Sequence, residues 1–144
     1  MTAAKILVLS ANRFGRWLFD RPLLNAGYEV ILLESGVKGL VRAVTERPDL
    51  IVLDLPLADM EGPAFLKYLR GTPGVGATPT LVTASEKALL REAQAAGANY
   101  GLFYPFPPWE LVGAIRKILR NQSDSLDDII DMALDEFIAP GERS

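Results

Sequence analysis

Short apolar runs and longer amphipathic stretches alternate along the first 121 residues. Lys5-Ile6-Leu7-Val8-Leu9, Tyr28-Glu29-Val30-Ile31-Leu32-Leu33, Leu50-Ile51-Val52-Leu53-Asp54, Thr80-Leu81-Val82-Thr83 and Tyr100-Gly101-Leu102-Phe103 are rich in strand formers. Several are nearly continuous in apolar character, the pattern of strands covered on both faces. The stretches between them repeat at helical spacing. Phe14, Trp17, Leu18, Leu23 and Leu24 mark the first, which Pro22 should kink or restart and Gly27 should end. Gly39, Leu40, Val41 and Val44 mark a second, closed by Pro48, and Phe65, Leu66 and Leu69 a third. Leu89, Leu90, Ala93 and Ala96 mark a fourth, with Ser85 as its expected N-cap and Gly97 as its stop. Leu111, Val112, Ile115, Ile118 and Leu119 mark a fifth behind Pro107-Pro108. Five such βα units imply a parallel sheet with helices on both faces. The glycine-rich connector Gly71–Pro79 reads as the most flexible link, and it lacks the Gly-Lys-Ser/Thr of a phosphate loop.

Beyond residue 121 the pattern changes. Leu126, Ile129, Ile130, Ala133, Leu134, Phe137 and Ile138 recur on one helical face, after Ser125-Leu-Asp-Asp128 as a capping box, and Pro140-Gly141 stops the stretch. Charge divides at the same place. Residues 1–121 carry 14 Lys/Arg against 11 Asp/Glu, and residues 122–144 carry 1 against 7. A mildly basic domain over 1–121 and an acidic helical extension over 122–144 are therefore expected.

Composition narrows the chemistry. The 144 residues include no cysteine and no histidine. Disulfides, thiolate or imidazole metal sites and Ser-His or Cys-His catalysis are thereby excluded. With 49 % hydrophobic and 23 % charged residues the chain can bury a core. No run is long enough for a membrane span, and the N-terminus does not read as a signal peptide, so a cytoplasmic protein is expected. No basic-aromatic array suggests nucleic-acid binding, and Arg13, Arg16 and Arg21 read by default as a solvated face.

In an open parallel sheet, functional groups gather beyond the carboxyl ends of the strands. Ser10 and Ala11, Asp54, Thr83 and Ala84, and Tyr104-Pro105 occupy those positions. Pro48-Asp-Leu-Ile-Val-Leu-Asp-Leu-Pro-Leu-Ala-Asp-Met-Glu-Gly62 resembles the phosphoacceptor segment of response-regulator receiver domains. Thr83-Ala84 is similar to that family's switch hydroxyl and the small residue after it, and Ala96-Gly97-Ala98 with Pro105-Phe106 to the surroundings of its fifth strand. The resemblance runs over residues 5–121. It implies a doubly wound α/β fold of flavodoxin-like type, with five parallel strands in the order 2-1-3-4-5, and it makes Asp54 the phosphoacceptor candidate and Thr83 with Ala84 the phosphoryl-contact candidates. The bond before Pro105 is cis in the family.

The departures carry as much information. Ser10 and Ala11 stand where the family has two acidic residues, Tyr104 where it has lysine, Gly101 beside Tyr100 where it has the switch aromatic, and Ala58 where it has proline. Mg²⁺ wants hard anionic oxygens, and Asp54 is the one acidic ligand left among these positions, so metal binding should be weak or absent. A phenol offers one neutral donor in place of an ammonium. Asp54 then has two readings, a working acceptor in a degraded pocket or a strand-end carboxylate capping backbone amides. Thr83 reads as a strand-end hydroxyl bonded to backbone as readily as a switch. Tyr104 fills the space of the missing lysine, and Ser10 enters the first helix with Asn12 as cap.

The expected function is an atypical response regulator, not an enzyme, which works through protein contacts and without needing phosphorylation. The alternatives are a conventional phosphoacceptor at Asp54 and a flavodoxin-like ligand-binding or enzymatic domain; the second lacks a glycine-rich loop after the first strand. No cofactor is expected. The stretch after residue 121 is too short for an output domain, so a stand-alone receiver is expected. The stripe of Leu126, Ile129, Ile130, Leu134, Phe137 and Ile138 should be buried against a protein partner, a second copy or the chain's own body. The first two are favoured, and the acidic face argues for a basic surface over tail-on-tail pairing.

Overall fold

The computed structural model describes residues 3–121. The extension with its stripe of apolar positions lies outside the described residues. Five strands, β1 (Lys5–Leu9), β2 (Glu29–Leu33), β3 (Leu50–Asp54), β4 (Thr80–Ala84) and β5 (Tyr100–Phe103), form one parallel sheet in the order β2-β1-β3-β4-β5. The helices are α1 (Arg21–Asn25), α2 (Gly36–Glu46), α3 (Gly62–Arg70), α4 (Lys87–Ala95) and α5 (Pro108–Asn121). This is the doubly wound architecture expected from the alternation. No helix among the described residues is long and apolar enough to cross a membrane.

Period-two alternation in the strands sorts the core into two layers. Leu7, Leu9, Ile51, Leu53 and Val82 pack with Ala43, Phe65, Leu66, Leu69 and Ala93 of α2, α3 and α4. Ile6, Val8, Leu50, Val52, Leu81 and Leu102 pack on the other side with Phe19, Leu23, Leu111, Ile115 and Ile118. The inner strands β3 and β4 are buried along their whole length, while the edge strands β2 and β5 are largely half-buried or exposed.

The first helical stretch is built in two parts. A π-helical turn over Arg16–Asp20 runs straight into α1, with Pro22, which has no N–H to donate back into the preceding turn, at the junction of the two. Gly27 and Gly97 follow α1 and α4 with φ of 94° and 110°, the left-handed conformation that ends a helix. Ser85 is not the N-cap of α4. Glu86 takes that position with extended backbone, its carbonyl accepting from Leu89 N at 3.1 Å, and Ser85 stays exposed one residue earlier.

The glycine-rich connector, expected to be loose, is clasped by Arg70. Its guanidinium donates to the carbonyls of Gly76 (3.2 Å), Thr78 (2.6 Å) and Gly97 (2.8 Å) and to Asn99 Oδ1 (3.1 Å). One planar fork with five donors thereby ties α3, the connector and the approach to β5 together at the amino edge of the sheet.

Candidate functional site

The two-residue period that builds the core also builds the site. Ile6, Val8 and Ser10 share one face of the first strand and its extension; Leu50, Val52 and Asp54 share it on the third, Leu81 and Thr83 on the fourth, and Leu102 and Tyr104 on the fifth. Each series is apolar until its last member, which is polar and stands at the carboxyl edge. The register aligns them, since Leu9 faces Leu53, Asp54 faces Thr83 and Thr83 faces Leu102. Four polar side chains from four neighbouring strands thus converge.

They converge on the Asp54 carboxylate, which is 6 % exposed. Ser10 Oγ donates to its Oδ2 at 2.7 Å. Thr83 Oγ1 donates to Oδ1 at 2.6 Å, and Tyr104 OH donates to the same oxygen at 3.0 Å. Asp54 therefore does not cap backbone amides, because side-chain hydroxyls reach it first. Thr83 in turn bonds to the carboxylate and not to backbone. Ser10 Oγ also accepts from Asn12 N at 3.2 Å, and Asn12 Oδ1 accepts from Phe14 N at 2.8 Å in a turn ahead of the first helical stretch, whose N-cap is Gly15 and not the expected Asn12.

Tyr104, at the position where the resemblance places a lysine, is held from two sides. Its ring stacks on Phe106 with centroids 4.7 Å apart, and its N–H donates to the Ala84 carbonyl at 3.0 Å. Burial, followed by the negative charge of Asp54, pushes the phenol well above its ordinary value, so the proton stays on the tyrosine. The Tyr104-Pro105 bond is cis, and so is Leu55-Pro56, which no sequence signal had distinguished. A cleft of about 400 Å³ opens over Asp54, lined by Ala11, Asn12, Leu55, Pro56, Ser85 and Tyr104. Ala11 brings no polar side chain to it. Ala84 is buried in the other core layer, with Leu9, Leu53 and Val82.

Gly101 leaves β5 without a side chain at the switch-aromatic position, and Tyr100 beside it is 39 % exposed. Asp59, in the loop after β3, lies against the start of α2. It accepts from Gly36 N (2.9 Å), Val37 N (3.0 Å) and Ser35 Oγ (2.8 Å). Those backbone donors, and then the serine hydroxyl, pull its carboxyl down to about 2. Among the described residues no cluster of three or more acidic side chains is placed to hold a metal ion.

The family model described as a response regulator receiver domain matches residues 6–116. The response regulator MprA of Mycobacterium tuberculosis is 34 % identical over 120 residues, covering 83 % of this chain and 52 % of that protein. The KDP operon transcriptional regulatory protein KdpE of Escherichia coli is 34 % identical over 120 residues, 82 % of this chain and 52 % of its own length. The chain thus spans about half the length of these curated relatives. Among solved structures, the chemotaxis response regulator CheY4 of Vibrio cholerae superposes with a TM-score of 0.75 at 30 % identity, covering 81 % of this chain and 99 % of that one. A response regulator of Chloroflexus aurantiacus gives 0.77 at 28 % identity, covering 82 % and 98 %.

Proposed function

Starting from the fact that this chain belongs to the response-regulator receiver family of two-component signalling, we propose that it is an atypical member whose Asp54 is engaged by its own neighbours and which works through protein contacts without phosphorylation. The observation that carries the reading is the trio of hydroxyl donors on Asp54. A carboxylate offers about four lone-pair sites. Ser10, Thr83 and Tyr104 occupy three of them. Hydrogen bonds of this kind stabilise the charge and so lower its reactivity as a nucleophile.

The incoming phosphoryl group would meet no compensating cation. Transfer to a carboxylate needs the developing negative charge neutralised by a metal, lysine or arginine. Mg²⁺ does not fit the donor set. Its place beside Asp54 is bounded by the neutral hydroxyl of Ser10, already engaged with Asp54 and Asn12, and by the methyl of Ala11. The lysine position holds a tyrosine that stays protonated. The switch is also without its partner, because Thr83 is already bound to Asp54 and β5 carries glycine at the aromatic position.

What remains is a fold with exposed apolar side chains available for protein contact. Phe103 and Trp109, 44 % and 77 % exposed, lie at the β5 edge and the start of α5. Contact with a protein partner or a second copy, with no nucleic-acid or membrane role and in the cytoplasm, belongs to the same proposal.

The test is treatment with a small phosphodonor and Mg²⁺, read by intact mass. The native chain should take up no phosphoryl group, and Ser10→Asp, Ala11→Asp and Tyr104→Lys combined should gain one. A stoichiometric adduct on the native chain that disappears in Asp54→Asn overturns the proposal and makes Asp54 a conventional acceptor.

A further inference from the structure

We propose that the acidic segment 125–138 docks in cis on a stripe of exposed aromatic and cationic side chains along the π-helical turn and α1. Phe14, Trp17, Arg21 and Leu24 follow one another at i, i+3, i+7 and i+10, and so share one helical face. Phe14, Trp17 and Leu24 are 56 %, 63 % and 50 % exposed. The Arg21 guanidinium lies 4.4 Å from the Trp17 ring centroid, and that of Arg13 lies 5.5 Å from the ring of Phe14. Stacking of this kind holds the cations flat on the rings while leaving their N–H groups free to meet carboxylates. The opposite face of the same stretch is spoken for, since Phe19 and Leu23 are fully buried in the core.

Charge, chain path and length select the occupant. Residues 13–25 hold three arginines and one acidic residue, Asp20. None of the three arginines forms an ion pair among the described residues. Residues 122–142 hold no basic residue at all, and Asp127, Asp128, Asp131 and Asp135 lie off the apolar stripe of 126–138. The helix α5 packs beside α1 on the same face of the sheet. Both return from the carboxyl to the amino edge, so the chain leaves Asn121 near the Leu24 end of α1. A helix over 125–138 is about 21 Å long, against about 15 Å for Arg16–Asn25. Running back along α1, it would cover Leu24, Trp17 and Phe14 in turn and set its aspartates beside Arg21, Arg16 and Arg13. Tail-on-tail pairing brings like charges together, which this placement avoids.

The experiment is amide hydrogen exchange on the full chain, with sedimentation on the same samples. In the native chain, amides of 125–138 should be protected and the chain monomeric across a wide concentration range. Trp17→Ser with Arg21→Glu, both at exposed positions, should speed exchange in 125–138 by about tenfold, with the amides of β1, β3 and β4 unchanged. Arg16→Glu and Arg21→Glu combined with Asp131→Arg and Asp135→Arg should restore the protection. In a Trp109→Phe background Trp17 is the one tryptophan, and Ile130→Asp with Phe137→Asp should shift its emission to the red. Unprotected 125–138 amides in the native chain overturn the proposal. So does protection that the Trp17/Arg21 variant leaves intact, or protection that grows with concentration and so moves the contact to a second copy.

Discussion

Asp54 and Asp59 lie on either side of one loop at the carboxyl edge of the sheet, and each accepts three hydrogen bonds. Asp54 is buried and takes all three from hydroxyls borne by other strands. Asp59 is exposed and takes two from the backbone amides of Gly36 and Val37 and one from Ser35. The second set lies at a helix start, where the aligned peptide dipoles place positive potential. The first set satisfies its carboxylate while bringing no charge. Phosphoryl chemistry asks for the opposite arrangement, with positive charge at the buried carboxylate. Here the positive potential lies at Asp59, and the strand-end carboxylate of Asp54 is met by neutral hydroxyls. The comparison shows how two aspartates at the same edge of the sheet can be held by quite different donors, one set from side chains and the other mostly from backbone.

If that contrast is right, the buried set matters most to stability. Thr83→Val keeps shape and removes the shortest of the three bonds at a residue with no exposure. A hydrogen bond to a charged, buried acceptor contributes about 1.5–3 kcal/mol, so the urea midpoint should fall by an amount equivalent to about 2 kcal/mol. Ser10→Ala should cost a comparable amount, since it removes a 2.7 Å bond to Asp54 together with the longer 3.2 Å bond from Asn12 N. Tyr104→Phe should cost least of the three, its bond being the longest and half-buried. A neutral Thr83→Val would mean that Asp54 needs none of these donors, and the contrast with Asp59 would collapse.

A second substitution converts the buried carboxylate toward the charged arrangement it lacks. Ser10→Asp with Ala11→Asp sets two further carboxylates beside Asp54, so without metal the variant should be less stable than the native chain through like-charge repulsion. With Mg²⁺ the order should reverse. A ligand at ten times its dissociation constant stabilises the form it binds by about 1.4 kcal/mol, visible as a rise in melting temperature with added Mg²⁺ in the variant. The native chain should show no such rise. A saturable Mg²⁺ response in the native chain would show that Ser10 and Ala11 do not exclude the metal.

The fold was legible because its signal is repeated. Five apolar runs, proline and glycine at the right ends of the helical stretches, and the two-residue period in Leu50-Ile51-Val52-Leu53-Asp54 all point the same way. The candidate site positions are read from the carboxyl ends of the strands and from the family resemblance, and three of them, Ser10, Thr83 and Tyr104, meet at Asp54. The wiring of the site was not legible. Nothing in sequence distance says that Thr83 and Tyr104 share one oxygen of Asp54, because that depends on strand register and on the ring of Phe106 fixing Tyr104. Ser85 outcompetes Glu86 as a cap on propensity alone, yet the chain is still finishing β4 at Ala84 and reaches extended N-cap geometry one residue later. Arg70 and Asp59 were invisible for another reason. Their partners are mostly backbone groups, which look alike in any sequence.

The smallest effect concerns Asp59 and isolates its half of the contrast. Its folded carboxyl titrates near 2 against an ordinary 3.8, so the folded state binds that proton less tightly than the unfolded chain does. The resulting stabilisation is fully present above about pH 4, is lost as the pH falls toward 2, and is gone below it. Asp59→Asn keeps one acceptor oxygen for the α2 amides but has no charge to lose. The native chain should therefore exceed the variant in stability at pH 5 and above, and the gap should close between about pH 4 and pH 2. Because the carboxylate is exposed, the gap should also shrink in high salt at neutral pH. Chemical denaturation at stepped pH reads both. A gap that stays constant through that window would mean that the α2 amides recognise the oxygen of Asp59 and not its charge, and the difference between the two aspartates would then reduce to burial.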